Sequence, residues 1–408
     1  MQYSTIPFEV KWPEQALAFS LDSLYAYLGR VIDQRKARGL LYPLPVLLAI
    51  AVLAKMLGQN QVSELAHWAK LRSKELCQLF DLKREQMPHL TTWSRVLGEK
   101  IDPVQLETVL GEFFAATLGA AIPERGSLVI GIDGKALRGS IPSGHSHAKY
   151  TMAAFLPQQG IVIGQVEVAN GEVKENEIVA APKLLKQIKQ CLPGAVVVGD
   201  AMQCQRKLSV QINSAGGDWM WFVKANQPEV LDNIQILFAN EPLAKGHSPH
   251  PVDFETAHTT TKAHGRLEQR TITVSSMLDQ DYLKWPGVAQ VFKVERVTTV
   301  RGVTKHEIRF GITSLPSSIA SPKRLLALTR LEWGIENKLH YRRDYTLRED
   351  WSQLRRGASQ QVNACLNNIV VGLVSLAGIP NLAAKRRELA YDPSLALAWL
   401  FQSPLSIK

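Results

Sequence analysis

Cysteine is scarce in this chain of 408 residues, which contains only four. They lie far apart and form no Cys-x-x-Cys pair, so the pattern argues against a disulfide framework and against a cysteine-ligated zinc site. Free thiols in a reducing cytosol are the simplest interpretation. The four are Cys77, Cys191, Cys204 and Cys365.

Long apolar runs are also lacking. The most apolar stretch, Val46–Ala54, has half the length that a membrane span needs, and Lys55 ends it. The first ten residues, MQYSTIPFEV, do not have the charged-then-apolar pattern of a signal peptide. We therefore expect no membrane partner and a location in the cytoplasm.

Several cofactor and catalytic motifs are missing. There is no GxGxxG, GxSxG or HExxH sequence. The stretch GIDGKA superficially resembles a phosphate-binding loop, but Val129 replaces its first glycine and Ala136 replaces its Ser/Thr. We therefore expect no nucleotide cofactor.

Acidic residues are outnumbered by basic ones. The chain has 47 Lys and Arg against 37 Asp and Glu, a formal net charge of +10. Cationic side chains that bind phosphates release condensed counterions, so this excess favours a polyanionic partner such as nucleic acid. Charge alone does not require one.

The N-terminal part of the chain has helical periodicity to about residue 115. The stretch EQALAFSLDSLYAYLGRVIDQRKARG predicts a helix that ends at Gly39, and further short helices follow. TTWSRVL at Thr91–Leu97, with Thr91 as the N-cap, is the best candidate for a DNA-contacting helix. A solvated helix in an ordinary helical subdomain is the alternative.

Strand patterns begin near Gly126. KYTMAAFLP and GIVIGQVEVA predict a hairpin, and apolar strands then alternate with helices. Residues 250–314 again alternate as strands, with a tight VRGVTK link, and helices return at Pro322. The order predicts an α/β fold, with a mixed sheet flanked by helices.

Two of the apolar strands run into an aspartate that adjoins a glycine. Ile130–Ile132 leads into Asp133, and Val196–Gly199 leads into Asp200. A single Asp at such a place is most often a turn former or helix cap. Two of them on neighbouring strands would converge, and carboxylates brought together need a cation such as Mg²⁺.

A site for two metal ions needs a third acid, on a helix packed against those strand ends. Glu336 is favoured because at helical spacing it shares a side with His340 and Arg343, which suits metal and phosphate contacts. The alternative is a salt-bridged stripe, from Glu336 to His340 and Arg343. The candidates in this region are Glu332, Glu336, Asp344, Glu349 and Asp350.

With these motifs, the sequence resembles the DDE transposases of bacterial insertion sequences, in the branch of ISAs-type elements and H-repeat-associated proteins. The likeness runs from about Asp33 to Asn368. Its ordered motifs are DQRKARGLLYPLPVLLAIAVLAKMLG, IDGKALRGS, KENEIVAAPKLL, GDAMQCQ, FVKANQPEV, HGRLEQR and EWGIENKLHYRRDYTLREDWSQLRRG. Two departures from related transposases precede the third acid, with Thr329 in place of a Tyr and Glu332 in place of an Arg.

The resemblance implies an RNase H-like catalytic core that a β-rich insertion interrupts. Asp133, Asp200 and Glu336 would be the catalytic metal ligands, and Arg343 would replace a phosphate-contacting Lys. The expected domains are a helical, DNA-binding N-terminal domain (1–120), the first part of the core (121–235), the β-rich insertion (236–318), the final core helices (319–378) and a C-terminal tail (379–408).

The predicted function is that of a transposase that uses two Mg²⁺ ions, or Mn²⁺ in their place, on double-stranded DNA. It would cut the ends of an insertion sequence and join the freed 3′-hydroxyl to target DNA, as a homodimer. The expected DNA-binding residues are Lys135, Arg138, His340, Arg342, Arg343 and Arg348. A nuclease with the same core but no joining activity is one alternative, and a domesticated DNA-binding protein that no longer cleaves is another.

Overall fold

The computed structural model describes residues 20–36, 40–119, 123–141, 149–168, 177–239, 252–263 and 265–403. The N-terminal part is helical, as predicted. Helix α2 is almost fully buried, which explains its nearly uninterrupted apolar sequence. The six helices are α1 (Leu24–Leu28), α2 (Leu44–Met56), α3 (Val62–Leu71), α4 (Ser73–Leu79), α5 (Leu90–Glu99) and α6 (Pro103–Leu118).

The prediction of one long helix that ends at Gly39 is wrong for the part of that segment that the structure describes. Only Leu24–Leu28 is helical, and Gly29 follows it as the C-cap. Asp33 then bonds the backbone N–H of Arg35 and its guanidinium, a local turn that competes with helix formation. The start of the predicted segment, before residue 20, and its end at 37–39 lie outside the described residues.

Among the described residues, nine strands form one sheet in the order β3-β2-β1-β4-β5-β9-β8-β7-β6. β1, β2 and β3 are antiparallel neighbours, and β4 and β5 run parallel to β1. This mixed arrangement is the RNase H-like core that was expected. The strands are β1 (Val129–Leu137), β2 (Lys149–Leu156), β3 (Ile161–Val168), β4 (Val196–Gly199), β5 (Asp218–Val223), β6 (Glu255–Ala263), β7 (Arg266–Ser275), β8 (Gln290–Val300) and β9 (Val303–Thr313).

The register between β1 and β4 brings the two aspartates to one edge of the core. Ile132 of β1 is opposite Gly199 of β4, so Asp133 and Asp200 follow paired residues on parallel strands. β1 does not end there, because Asp133 through Leu137 continue to pair with β2 after β4 has stopped. Asp133 therefore has the rigidity of a strand residue, whereas Asp200 opens a short 3₁₀ turn.

The predicted β-rich insertion extends the core sheet instead of forming a sheet of its own. β9 pairs antiparallel with β5, from Met220 opposite Thr313 to Val223 opposite Phe310. β8 and β9 form the predicted hairpin across VRGVTK. Helices of the core and insertion are α7 (Glu177–Gln187), α8 (Arg206–Ser214), α9 (Pro228–Phe238) and α10 (Gln280–Leu283).

The C-terminal helices close the fold around the core. α11 (Pro322–Glu332) stops at Trp333, and the chain continues through Glu336–His340 and Arg342–Thr346 in wide π-helical turns. A regular α-helix was predicted through this region. Because the turns are wider than those of an α-helix, the ideal spacing of about 3.6 residues per turn does not hold here. The last helices are α12 (Ser359–Leu376), α13 (Leu382–Tyr391) and α14 (Ser394–Phe401), and α12 packs against α2, α5 and α6. In the described part of the chain, no helix has the length and apolar character to cross a membrane.

Candidate active site

Asp133, Glu336 and His340 form a compact group of potential metal ligands. One ligand atom from each lies within 4.8 Å of the others. His340 Nδ1 is 3.2 Å from Glu336 Oε2 and 3.5 Å from Asp133 Oδ2. His340 is buried, whereas the Glu336 carboxylate is 59% exposed. The β1 strand and the irregular helix after α11 thus bring an acid each to one place, with an imidazole between them.

The carboxyl group of Asp133 is strongly perturbed. Burial is the main cause that raises its pKa to about 7, and the negative charges of Glu177, Asp200 and Glu336 raise it further. The backbone N–H of Gly134 donates to Asp133 Oδ1 at 2.9 Å and partly offsets these effects. Four carboxylates therefore lie near one another, and a cation would relieve their repulsion.

Asp200 lies beside this group but is not part of the compact cluster. In the described residues it belongs to no set of three ligands within 4.8 Å of one another. Its Oδ1 accepts a hydrogen bond from the backbone N–H of Met202 at 3.0 Å. Its charge nevertheless raises the pKa of Asp133, Glu177 and Glu332, which places it near all three.

Glu177 is an acid of this site to which the sequence reasoning assigned no role. It is the first residue of α7, and a Cβ placed on Gly134 would lie only 2.0 Å from its Oε1. Gln203 Nε2 donates to its Oε2 at 3.4 Å. Burial and then the charge of Asp200 raise its pKa. The one signal in the sequence for such a neighbour is Gly134, which directly follows Asp133. A residue without a side chain lets another group, here the Glu177 carboxylate, approach closely.

Glu332 also faces the site. Burial raises its pKa to about 7, the charge of Asp200 raises it further, and Arg309 and Lys224 oppose the shift. Its Oε2 is buried without a hydrogen-bond partner among the described residues. Glu332 is thus near Asp200 and Glu336 is near Asp133, and Glu336 alone of this pair belongs to the compact cluster.

The remaining acid candidates are already paired with cations. Asp344 accepts from Lys135 Nζ at 2.5 Å, and Asp350 lies 3.7 Å from the same atom. Glu349 is fully buried against Arg343. These three carboxylates are therefore occupied within the protein.

Arg343 corrects a prediction, because it does not reach the surface. Its side chain is fully buried and donates to Glu349 Oε1 at 2.7 Å and to Gln165 Oε1 at 3.1 Å. In this structure it has no exposed group with which to bind a phosphate. The wide turns of the helix, and not a regular helical face, decide its direction.

The other predicted DNA-binding residues have varied surroundings. Arg138 is exposed, and Arg348 stacks its guanidinium over the Trp351 ring at 5.6 Å. Arg342 donates to Ser375 Oγ at 3.0 Å and to the Pro380 carbonyl at 2.8 Å. Lys135 and His340 are buried: Lys135 is paired with Asp344, whereas His340 contacts Glu336 and Asp133.

The residues present fit a divalent cation. Two carboxylates and an imidazole offer ligand atoms in one place, and burial lowers the pKa of His340, which favours the neutral form that binds metals. His340 Nε2 is buried without a hydrogen-bond partner among the described residues. The donor set suits a hard or borderline ion, with oxygen atoms in the majority.

Comparison with known proteins identifies the family. The family described as "Transposase DDE domain" matches residues 124–373, and the family described as "DDE_Tnp_1-associated" matches residues 25–114. The Putative protein YbfL of Escherichia coli K12 is 26% identical over 95% of this chain and 100% of its own length. The H repeat-associated putative transposase YhhI of the same strain is 29% identical over 68% of this chain and 72% of its own.

A comparison with solved structures gives a low-scoring match. A piggyBac transposase synaptic complex with hairpin DNA has a TM-score of 0.37 and 10% identity over 85% of this chain and 69% of its own. The two family matches rest on sequence and cover both the helical N-terminal part and the catalytic core. The chain therefore belongs to the bacterial DDE transposases, enzymes that use a divalent metal and act on DNA, and its relatives include the H repeat-associated transposases.

Proposed function

We propose that this protein cuts DNA at the ends of an insertion sequence and joins the freed 3′-hydroxyl to target DNA, with Mg²⁺ as the metal. The observation that carries the proposal is the convergence of Asp133 and Glu336, which are 203 residues apart in the chain, on one buried imidazole. Glu336 and His340 are four residues apart on one helical segment, but local helix or turn formation gives no reason for Asp133 to meet them. A shared cation does.

Asp133, Asp200 and Glu336 would hold two Mg²⁺ ions, with Mn²⁺ as a substitute. When bound, such ions lower the pKa of water and stabilise the leaving oxygen of a phosphodiester. Asp133 must lose its proton to serve as a ligand, because its pKa is about 7 in the protein without metal. Glu177 and Glu332 add negative charge around the same place. We call the carboxylates of Asp133, Asp200, Glu336, Glu177 and Glu332 the acidic wall.

The basic residues near this wall would position DNA. Arg138 follows β1 directly and is exposed, so it is the best placed of the predicted contacts. Lys135 is paired with Asp344. It would therefore affect DNA binding through the Asp344 carboxylate, unless a DNA phosphate displaces that carboxylate. We assign sequence reading to the N-terminal helices, propose a homodimer that pairs two DNA ends, and place its action at the bacterial nucleoid.

The test uses duplex DNA that carries the ends of the element encoding this chain. We expect Asp133→Asn, Asp200→Asn and Glu336→Gln each to lower Mg²⁺-dependent cleavage at least a hundredfold, on the order of the loss of a key electrostatic group in other enzymes. Glu388→Gln is the matched control, since Glu388 is an exposed acid on α13. Full cleavage by any one of the three would remove that residue from the mechanism.

A second assay separates cutting from joining. Pre-cleaved ends with a free 3′-hydroxyl are incubated with supercoiled target DNA and Mg²⁺. We expect joined products from the unaltered protein. Hydrolysis without joining would identify a nuclease, and DNA binding without either reaction would identify a non-cleaving DNA-binding protein.

A further inference from the structure

A second charged site lies next to the acids, at the junction of the extended sheet and α11. It is a cavity of about 340 Å³ whose walls carry five arginines, which we call the arginine cavity. A cavity of this volume is in the range of ligand sites in proteins. The arginines are Arg266, Arg270, Arg296, Arg309 and Arg330.

The arginine cavity has more cations than carboxylates to pair with them. Glu268 is buried and accepts from Arg270 and, at 2.8 Å, from Arg296, while Arg266 is 3.5 Å away. Glu307 is 2.6 Å from Arg309 and 3.4 Å from Arg296. Two carboxylates thus pair with four of the five guanidinium groups.

Arg330 is the arginine without a carboxylate. It is exposed, and in the described part of the chain no acid lies within ion-pair distance of it. Burial lowers the pKa of Arg270 and the Glu268 carboxylate raises it, while the charges of Arg330, Arg296 and Arg266 lower it further. Like charges crowded in this way are stabilised when an anion binds among them.

Aromatic rings hold one of the arginines in place. The Arg309 guanidinium lies 5.3 Å from the Phe222 ring centroid and 5.5 Å from that of Trp333. Such contacts fix the guanidinium plane, whose fork geometry suits phosphate, while its Nε donates to Glu307 Oε1 at 2.6 Å. Trp333 also lines the cavity and is 46% exposed.

The arginine cavity and the acidic wall are formed in part by neighbouring residues of the same helical segment. Trp333 and Asn337 line the cavity, and their sequence neighbours Glu332 and Glu336 are the acids of the candidate active site. A polymeric anion that passes the acids would therefore meet the arginines within about one helical turn.

We propose that the arginine cavity binds the sugar-phosphate backbone of the DNA strand that enters the acidic site. The inference rests on the proposed function, and it adds a phosphate site that lies outside the predicted DNA-binding residues. DNA is favoured over a small anion because the cavity opens beside the acids, where the substrate must already be a phosphodiester chain.

The test measures binding of a fluorescein-labelled 40-base-pair duplex by anisotropy in EDTA, so that cleavage plays no part. We expect Arg330→Gln to weaken binding about fivefold and to reduce the slope of log affinity against log salt by about one, as for a lost phosphate contact. Arg330→Glu should weaken it more. Arg387→Gln is the control, because Arg387 is an exposed arginine on α13, away from the cavity.

Affinity and salt slope equal to those of the unaltered protein, or equal losses in Arg387→Gln, would overturn the proposal. Displacement of the duplex by inorganic triphosphate at equal phosphate concentration would identify a small-anion site and overturn it too. Because binding is read without metal, a failure of cleavage by the unaltered protein would contradict the proposed function and leave this inference standing. Thermal unfolding of each variant confirms that it is folded.

Discussion

Arg343 and Glu349 form a fully buried, two-pronged ion pair beneath the candidate active site. Arg343 Nη2 donates to Glu349 Oε1 at 2.7 Å, and Nε donates to Oε2 at 2.9 Å. Asn367 donates to the same Oε2 at 2.7 Å, and Lys55 Nζ donates to Asn367 Oδ1 at 2.9 Å. The network therefore ties the helical segment that carries Glu336 to helices α12 and α2.

We expect Arg343→Met to destabilise the protein by about 3–5 kcal/mol, since it leaves the Glu349 carboxylate buried without its partner. Arg343→Lys should recover only part of this loss, because an ammonium cannot make the paired contact. Chemical denaturation with guanidinium chloride measures the shift. Arg356→Met, which breaks the exposed pair with Glu99, is the control and should change stability little.

If Arg343 instead binds DNA phosphates in solution, Arg343→Met would leave stability unchanged and reduce duplex binding. That result would restore the prediction made from sequence and would require the helical segment to rearrange.

Glu107 gives a pH dependence of stability. Burial raises its pKa to about 7, and contacts with Cys365, Arg343 and Asn368 oppose the shift. The folded protein thus binds a proton here that the unfolded chain releases above about pH 4.5. Stability from this group is present below pH 4.5 and is lost as the pH rises through about 7.

The measurement compares Glu107→Gln with the unaltered protein by urea denaturation between pH 4.5 and 7.5. We expect the variant to gain up to about 3 kcal/mol relative to the unaltered protein across this window, since one pKa unit corresponds to about 1.4 kcal/mol. Glu112→Gln, exposed on the same helix, is the matched control. A similar slope in the control would show that the trend does not come from burial of Glu107.

Glu177 and Gly134 should behave as one unit. Glu177→Gln removes a charge beside Asp133, and Gly134→Ala would push the Glu177 carboxylate aside, because the new Cβ would lie 2.0 Å from Oε1. We expect each to weaken Mn²⁺ binding about tenfold or more, as for groups that orient metal ligands. Electron paramagnetic resonance of free Mn²⁺ measures this without DNA.

The double variant should be little worse than the weaker-binding single variant, because both changes act on the same carboxylate. Gly131→Ala is the control in the same strand, where a Cβ would make an ordinary contact at 3.7 Å from the Phe155 carbonyl oxygen. Additive losses would mean that Gly134 acts independently of Glu177.

His340 distinguishes two metals. An imidazole ligand suits Mn²⁺ better than Mg²⁺, which prefers oxygen. We therefore expect His340→Ala to weaken Mn²⁺ binding more than Mg²⁺ binding, in competition titrations of the two ions. Equal losses would indicate that His340 only positions Glu336 through their 3.2 Å contact.

Much of the catalytic core could be predicted because it is coded locally. Apolar strands followed by Asp133 and Asp200 indicated neighbouring strands, and the parallel pairing of β1 and β4 confirms that they are neighbours. The hairpins and the mixed sheet follow from strand and turn patterns of the same kind, whereas the RNase H-like core was implied by the resemblance to DDE transposases. The function of the predicted site residues stays a prediction that the variants above test.

The sequence by itself determined which segments are strands, where two aspartates follow them, and that the chain belongs to the DDE transposases. Tertiary structure decided which charges serve the site and which serve the fold. Arg343 and Glu336 are seven residues apart. Arg343 is fully buried against Glu349, whereas Glu336 is mostly exposed beside Asp133. Glu177 lies among the acids because β1 packs against the start of α7 at Gly134. The physical reason is that a charged residue's partner is set by contacts across the fold, which residue spacing along one helix does not contain.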